Sequence, residues 1–177
     1  MMEPESVHST ISMRARLLLL LVAGCVVLAD QLSKLVIEIF LPLYRSWTPL
    51  PHLLPTFRFS HVSNTGSAFG LFAHNSAVFA WVATLVSLAI VIYNFHLSGR
   101  QYWLRLALGL QLGGAVGNLV DRLRLGHVTD FIDFGPWVFN LADVAIILGA
   151  IVLAGVMWQE SKQHVPAPFE EMGKETS

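Results

Sequence analysis

The sequence predicts an all-α membrane protein: four transmembrane helices, with a small extracytoplasmic sheet between the first and the second. Three observations carry that prediction. Of 177 residues, 54% are hydrophobic and only 13% are charged, about half of the ~25% charged content usual in soluble domains. Mean hydropathy is +0.59. The apolar residues also fall into blocks near the about 20 residues that a helix needs to cross a ~30 Å bilayer core. The length suits a single integral membrane domain, 1–177. A net charge of −1 offers no basic field for nucleic acid. The lone cysteine, Cys25, excludes an internal disulfide framework or a multi-cysteine zinc site.

The first span follows Arg14 and Arg16 and covers about 17–37, with Asp30 and Lys34 near its far end. The second, about 76–95, lies in a charge-free stretch between Arg58 and Arg100. The third covers about 103–120 and carries Arg105 in its first turn; the fourth, about 137–158, is charge-free except for Asp143. Between spans one and two, Pro42, Pro49, Pro51 and Pro55 exclude a helix. The Thr56 to Ser60 segment then alternates at period two, so 42–66 reads as a sheet or cap at the interface. The polar ends, 1–12 and 163–177, read as disordered tails. Trp47, Trp103, Trp137 and Trp158 fall at span ends, where interfacial aromatics belong.

Four spans place both tails on one side. The positive-inside count is nearly a tie, but Arg14 and Arg16 ahead of the first span favour cytoplasmic tails. That topology collects the polar residues of the spans at the opposite face: Asp30, Lys34, Asn64, Asn118, Asp121, Arg122, Asp130, Asp133, Asn140 and Asp143.

Asp30 and Lys34 stand at i and i+4 on one helix face and read as a supporting ion pair. Gly109, Gly113 and Gly117, widened by Gly114, form a small-residue stripe that lets helix backbones approach closely. Asn118 and Arg122, also i and i+4, face the same way. Val22 to Cys25 fits the sequence at which bacterial lipoproteins are lipidated, yet the apolar run continues past the cysteine and three more spans follow.

The pair that points to chemistry is Asp130 and Asp143. An ionised aspartate at mid-bilayer costs about 2.5–3.5 kcal/mol on insertion scales, so such a residue in an apolar helix is a functional candidate. Two carboxylates held together in an apolar place share a proton, which leaves one as base and the other as acid. The competing reading is one buried carboxylate paired with Arg122. No zinc helix, serine-nucleophile elbow or phosphate loop is present. A divalent site from Asp121, Asp130 and Asp133 has no further support, and no metal or cofactor is expected.

Four ordered blocks carry a resemblance: D-Q-L-S-K (Asp30 to Lys34), N-T-G-S-A-F (Asn64 to Phe69), G-N-L-V-D-R with G-H-V-T-D-F (Gly117 to Phe131), and F-N-L-A-D (Phe139 to Asp143). Together they resemble the lipoprotein signal peptidases, or signal peptidase II. The resemblance implies an aspartic endopeptidase of the bacterial cytoplasmic (inner) membrane that removes signal peptides from lipidated prolipoproteins. It implies Asp130 and Asp143 as the catalytic pair. It also implies Asn64, Gly66, Asn118, Arg122 and Asn140 as site-lining or substrate-contacting residues, with Asp30 and Lys34 in support. The implied fold has a small β-cradle between helices one and two, and the implied site is extracytoplasmic. Ser33, Ser67 and Thr129 depart mildly from the family pattern. Partners expected are the lipidated precursor and membrane lipid, with the protein a monomer. The other classes compatible with the residues are a small transporter or channel subunit using Asp143, and a scaffold pairing through the glycine stripe.

Overall fold

The computed structural model describes residues 13–49, 52, 56–66, 76–98 and 101–163. The expected tails (1–12, and all but the first residue of 163–177) lie outside the described residues, as do Pro51, Pro55 and the Ser67 to Phe69 end of the second motif. Four long helices and four short strands follow in the order α1 (Met13–Phe40), β1 (Ser46–Trp47), β2 (Arg58–Asn64), α2 (Ser76–His96), α3 (Tyr102–Leu125), β3 (Val128–Asp133), β4 (Val138–Phe139) and α4 (Leu141–Gln163).

α1, α2 and α4 are long and apolar enough to cross a membrane. They expose Leu21, Leu28, Ile39, Trp81, Leu85, Ile147 and Ile151 on their outer faces, as lipid-facing surfaces require. α3 is the different one. It packs against all three other helices and buries Arg105, Asn118 and Asp121 beside its glycines and leucines, so these three polar residues are covered by protein.

The glycine stripe explains how α3 fits at the centre. A Cβ on Gly109 would lie 2.9 Å from the Leu19 carbonyl, and one on Gly113 would lie 2.6 Å from Val26 Cβ. Gly114 faces the other way, against the Ala142 carbonyl and Ile146 of α4. One run of glycines therefore seats α3 against both α1 and α4. The middle of the bundle is sealed by Leu19, Ala23, Ile90, Leu108 and Leu112.

At the end where α2 meets α3, Arg105 is completely buried. It donates to the carbonyls of Ser98 and Leu97 at 2.6 and 2.9 Å and to Asn94 Oδ1 at 3.3 Å. Leu97 and Ser98 follow directly on the last residue of α2, His96, so Arg105 ties the α2–α3 connection to the bundle.

The other end carries the sheet, which is antiparallel in the order β1-β2-β3-β4. Here the sequence expectation is incomplete. Only β1 and β2 come from 42–66; β3 and β4 come from the connection between α3 and α4. Val128, Thr129, Phe131 and Ile132 are β-branched or aromatic, which suits a strand. α4 accordingly begins at Leu141 and not near Trp137, because Gly135 turns the chain with φ +89° and Val138–Phe139 pairs back onto β3. Asp130 is therefore a strand residue, paired with Val62 of β2.

Candidate active site

The start of α4 explains one half of the site. Asn140 caps the helix: its Oδ1 accepts the Asp143 amide at 3.0 Å, and its own amide donates to Asp143 Oδ2 at 3.3 Å. This reciprocal pair is a capping box, with aspartate in the place of the usual glutamate. A local folding device thereby fixes the direction of Asp143. The second oxygen of Asp143, Oδ1, accepts Asn118 Nδ2 from α3 at 2.8 Å.

Asp130 is set by the sheet. It is 2% exposed. Its Oδ2 accepts Asn64 Nδ2 from β2 at 2.8 Å, and its Oδ1 accepts Asn140 Nδ2 at 2.6 Å. Asn140 Nδ2 also donates to Asn118 Oδ1 at 3.1 Å. Two asparagines, 140 and 118, therefore bridge the two aspartates from elements far apart in sequence.

Gly66 controls Asn64. Its amide donates to Asn64 Oδ1 at 2.8 Å, which leaves Asn64 Nδ2 turned towards Asp130. The position requires glycine: φ is +97°, and a Cβ would sit 2.5 Å from the Phe79 ring.

Among the described residues, the four donors to the two carboxylates are neutral, three carboxamides and one backbone amide, and no cation hydrogen-bonds either carboxylate. Each oxygen accepts one bond and retains a second lone pair. Burial pushes the Asp130 carboxyl up to about 6, with the Asp143 charge adding to the rise and the Asn64 and Asn140 bonds opposing it.

Lys34 stands one residue removed. It is 2% exposed and bonds Asp30 Oδ2 at 2.7 Å, Asp121 Oδ2 at 2.8 Å and Asn118 Oδ1 at 3.2 Å. The Asp30–Lys34 pair expected from spacing is present, but Asp121 is an equal partner that the spacing rule does not reach.

Arg122 pairs with neither aspartate: Nη1 donates to its own helix at Asn118 O, 3.3 Å away, and the guanidinium lies over Phe79 at 5.6 Å. Its buried Nε has no hydrogen-bond partner among the described residues. Its charge still acts on Asp143 and Asp130 through space. Arg122 opens on a cleft of about 450 Å³ between α2 and α3, lined also by Ser76, Trp81, Thr84 and Gly126. A cavity of about 510 Å³ lies between α1 and the sheet against Phe131. Successive strand residues point to opposite faces, so that cavity is on the other side of β3 from Asp130.

Asp121 and Asp133 do not join Asp130 in a cluster. Asp133 is held by Arg58 at 2.6 Å, by Ser60, and by the Gly135 amide at 2.7 Å. Burial opposes its ionisation, but those donors outweigh burial and hold its carboxyl below the usual range. Of the mild departures, Ser33 donates to Asp30 O at 2.8 Å and Thr129 to Glu38 at 2.9 Å, so both make local bonds without touching the dyad.

Fold and site together define a helical membrane protein in which carboxamides link a buried aspartate, Asp130, to a partly buried one, Asp143, at one end of the bundle. Residues 22–159 match the sequence profile of signal peptidase (SPase) II. The chain is 43% identical over 157 residues to a lipoprotein signal peptidase of Moorella thermoacetica, covering 88% of this chain and 97% of that one. It is 41% identical over 143 residues to a lipoprotein signal peptidase of Pseudomonas aeruginosa, covering 75% and 83%. A bacterial membrane enzyme solved by the in meso method at 2.3 Å resolution shares the fold, with a TM-score of 0.72 at 24% identity over 84% of this chain and 92% of that one. The chain belongs to the signal peptidase II family, and it is a peptidase of the bacterial membrane.

Proposed function

We propose that the protein removes the signal peptide from diacylglyceryl-modified prolipoproteins, with Asp130 and Asp143 as an aspartic dyad that activates one water. The observation that carries this reading is the bridge of Asn140 and Asn118 between the two carboxylates, with no cation among the described residues hydrogen-bonded to either. With one proton on the pair, the ionised aspartate takes the proton of a water held between them. The protonated one donates to the scissile carbonyl as it becomes tetrahedral. Collapse expels the amine, which leaves with a proton from the dyad. Asn64, Asn118 and Asn140 keep the oxygens in place through the cycle. Arg122, which lines the α2–α3 cleft, is suited to receive a backbone carbonyl of the substrate through its guanidinium.

In this reading α3 is the fourth span. Its 24 residues reach about 36 Å at 1.5 Å per residue, enough for a ~30 Å core. Its burial among the other helices shields Arg105 and Asp121 from lipid. The termini are cytoplasmic, the dyad is extracytoplasmic, and the protein works as a monomer without a metal or cofactor. The lipid chains of the substrate remain in the bilayer and hold the cleavage site at the interface, so binding energy serves orientation. A conduction role is disfavoured by the apolar layer of Leu19, Ala23, Ile90, Leu108 and Leu112 between the polar ends. A scaffold role leaves the linked acid pair without a purpose.

The test is cleavage of a lipidated precursor and its unlipidated counterpart by purified protein. Only the lipidated form should be cut, and Asp130→Asn or Asp143→Asn should abolish cutting while membrane insertion persists. Equal cleavage of both forms, or wild-type turnover by either variant, overturns the reading.

A further inference from the structure

Two carboxylates outside the dyad bind backbone in a matching way. Asp30 of α1 and Asp121 of α3 are 0% and 1% exposed, and both contact the Lys34 ammonium. Asp30 Oδ1 also accepts the amide of Ala142 at 2.9 Å, the residue immediately before Asp143. Asp121 Oδ2 accepts the amide of Thr129 at 3.1 Å, the residue immediately before Asp130. Gln31 ties the two together: its Nε2 donates to Asp121 Oδ1 at 2.8 Å and to Asp30 Oδ2 at 3.2 Å. Arg124 donates to Gln31 Oε1 at 3.2 Å, which keeps the Gln31 amide turned that way.

Both amides need an outside partner. Ala142 is in the first turn of α4, where helix amides have no partner within the helix. Thr129 pairs with Ser63 of β2 on one side, while β4 meets β3 only at Ile132 and Asp133. Its other edge is therefore open to Asp121. Two charges of one sign and one of the other, all buried, are a poor choice for stability, because well-packed apolar residues serve as well or better. What apolar residues cannot do is fix an amide in direction.

We propose that Asp30, Lys34 and Asp121, linked by Gln31, form a positioning frame that sets the separation of Asp130 and Asp143 through the Ala142 and Thr129 amides. The frame rests on the dyad reading. It acts on the backbone on one side of each dyad residue, while Asn64, Asn118 and Asn140 act on the carboxyl groups. Lys34 joins the two systems through Asn118 Oδ1. A misplacement of about 1 Å at reacting groups costs roughly 100-fold in rate, so loosening either amide should appear in kcat and not in substrate binding.

The experiment compares Asp30→Asn, Asp121→Asn and Gln31→Leu with wild type and with Asp130→Asn. It measures kcat and KM per folded enzyme on a lipidated precursor, together with amide hydrogen exchange at Thr129 and Ala142. The frame predicts a kcat loss on the order of 100-fold for Asp30→Asn and Asp121→Asn, roughly 10-fold for Gln31→Leu, and KM within about threefold. Exchange should quicken at Ala142 in Asp30→Asn and at Thr129 in Asp121→Asn, each without the other. Wild-type kcat per folded enzyme, or exchange that quickens everywhere alike, overturns the frame. Should the charged-site variants fail to fold, Gln31→Leu decides: wild-type kcat there overturns the frame as well. Activity in Asp130→Asn defeats the dyad reading instead. A dead Asp130→Asn beside fully active frame variants defeats the frame alone.

Discussion

Replacing Asn64 with leucine should move the alkaline limb of the activity profile upward. Asn64 Nδ2 donates to Asp130 Oδ2 at 2.8 Å, and that bond favours the ionised carboxylate. Asp130 otherwise sits at about 6, raised chiefly by burial. A hydrogen bond to a charged group contributes about 1.5–3 kcal/mol, and 1.36 kcal/mol corresponds to one pKa unit. Because a water or the Asn140 amide takes up part of the loss, a rise of about one unit is the expected result. The reaction needs one proton on the pair, so activity falls as pH rises through the value at which that proton leaves. Losing a donor to the ionised form keeps the proton on, so the limb shifts towards higher pH even as the maximum rate drops. The assay is kcat/KM against pH on a lipidated fluorogenic peptide, which reports the free enzyme; the fitted values belong to the coupled pair. A limb that stays in place, or shifts towards lower pH, would refute the reading of Asp130 as a member of a proton-sharing dyad.

Other outcomes follow from the same contacts. Gly66→Ala places a methyl 2.5 Å from the Phe79 ring at a φ of +97°, so it should cost about 1–3 kcal/mol in thermal unfolding and lower kcat by releasing Asn64. Arg58→Ala should leave kcat intact and lower stability only slightly at neutral pH, since Arg58 is 45% exposed and solvent screens the pair. Asp133 is depressed below its ordinary 3.8, so this stabilisation is present above that value and is lost as pH falls through the lower, folded one; unfolding of both proteins across that range checks it. Cys25→Ser should be neutral for folding and cleavage, because Cys25 is exposed along an uninterrupted α1; an inactive variant would revive the lipidation reading of that segment.

Much of this arrangement is legible in sequence because the membrane simplifies the problem. Long apolar blocks mark α1, α2 and α4 directly, and Asp143 stands out against its apolar helix. Asp130 is harder. Its strand is only six residues long and follows a helix end that caps at Gly126, so periodicity in the α3–α4 connection is too brief to register. The proline-rich 42–66 segment announces half of the sheet, and the pairing of β2 with β3 supplies the other half only in three dimensions. Spacing finds the Asp30–Lys34 pair because i and i+4 meet on one helix. It cannot find Asp121, which reaches Lys34 from a different helix 87 positions away, as Lys34 Nζ lies 2.8 Å from it. Arg122 shows the opposite failure: sharing a helix face with Asn118 does not send a long side chain to the same partner, and it folds over Phe79 instead.

The central claim concerns one water between two carboxyl groups, and a bound mimic of the attacked carbonyl tests it. A lipidated peptide carrying a hydroxyl-bearing tetrahedral isostere at the cleavage position should bind far more tightly than the parent sequence. A crystal structure of that complex should show the hydroxyl oxygen within about 2.5–3.0 Å of oxygens from both Asp130 and Asp143. A hydroxyl that reaches only one of them, or an isostere seated away from the pair with unchanged affinity, would contradict the account.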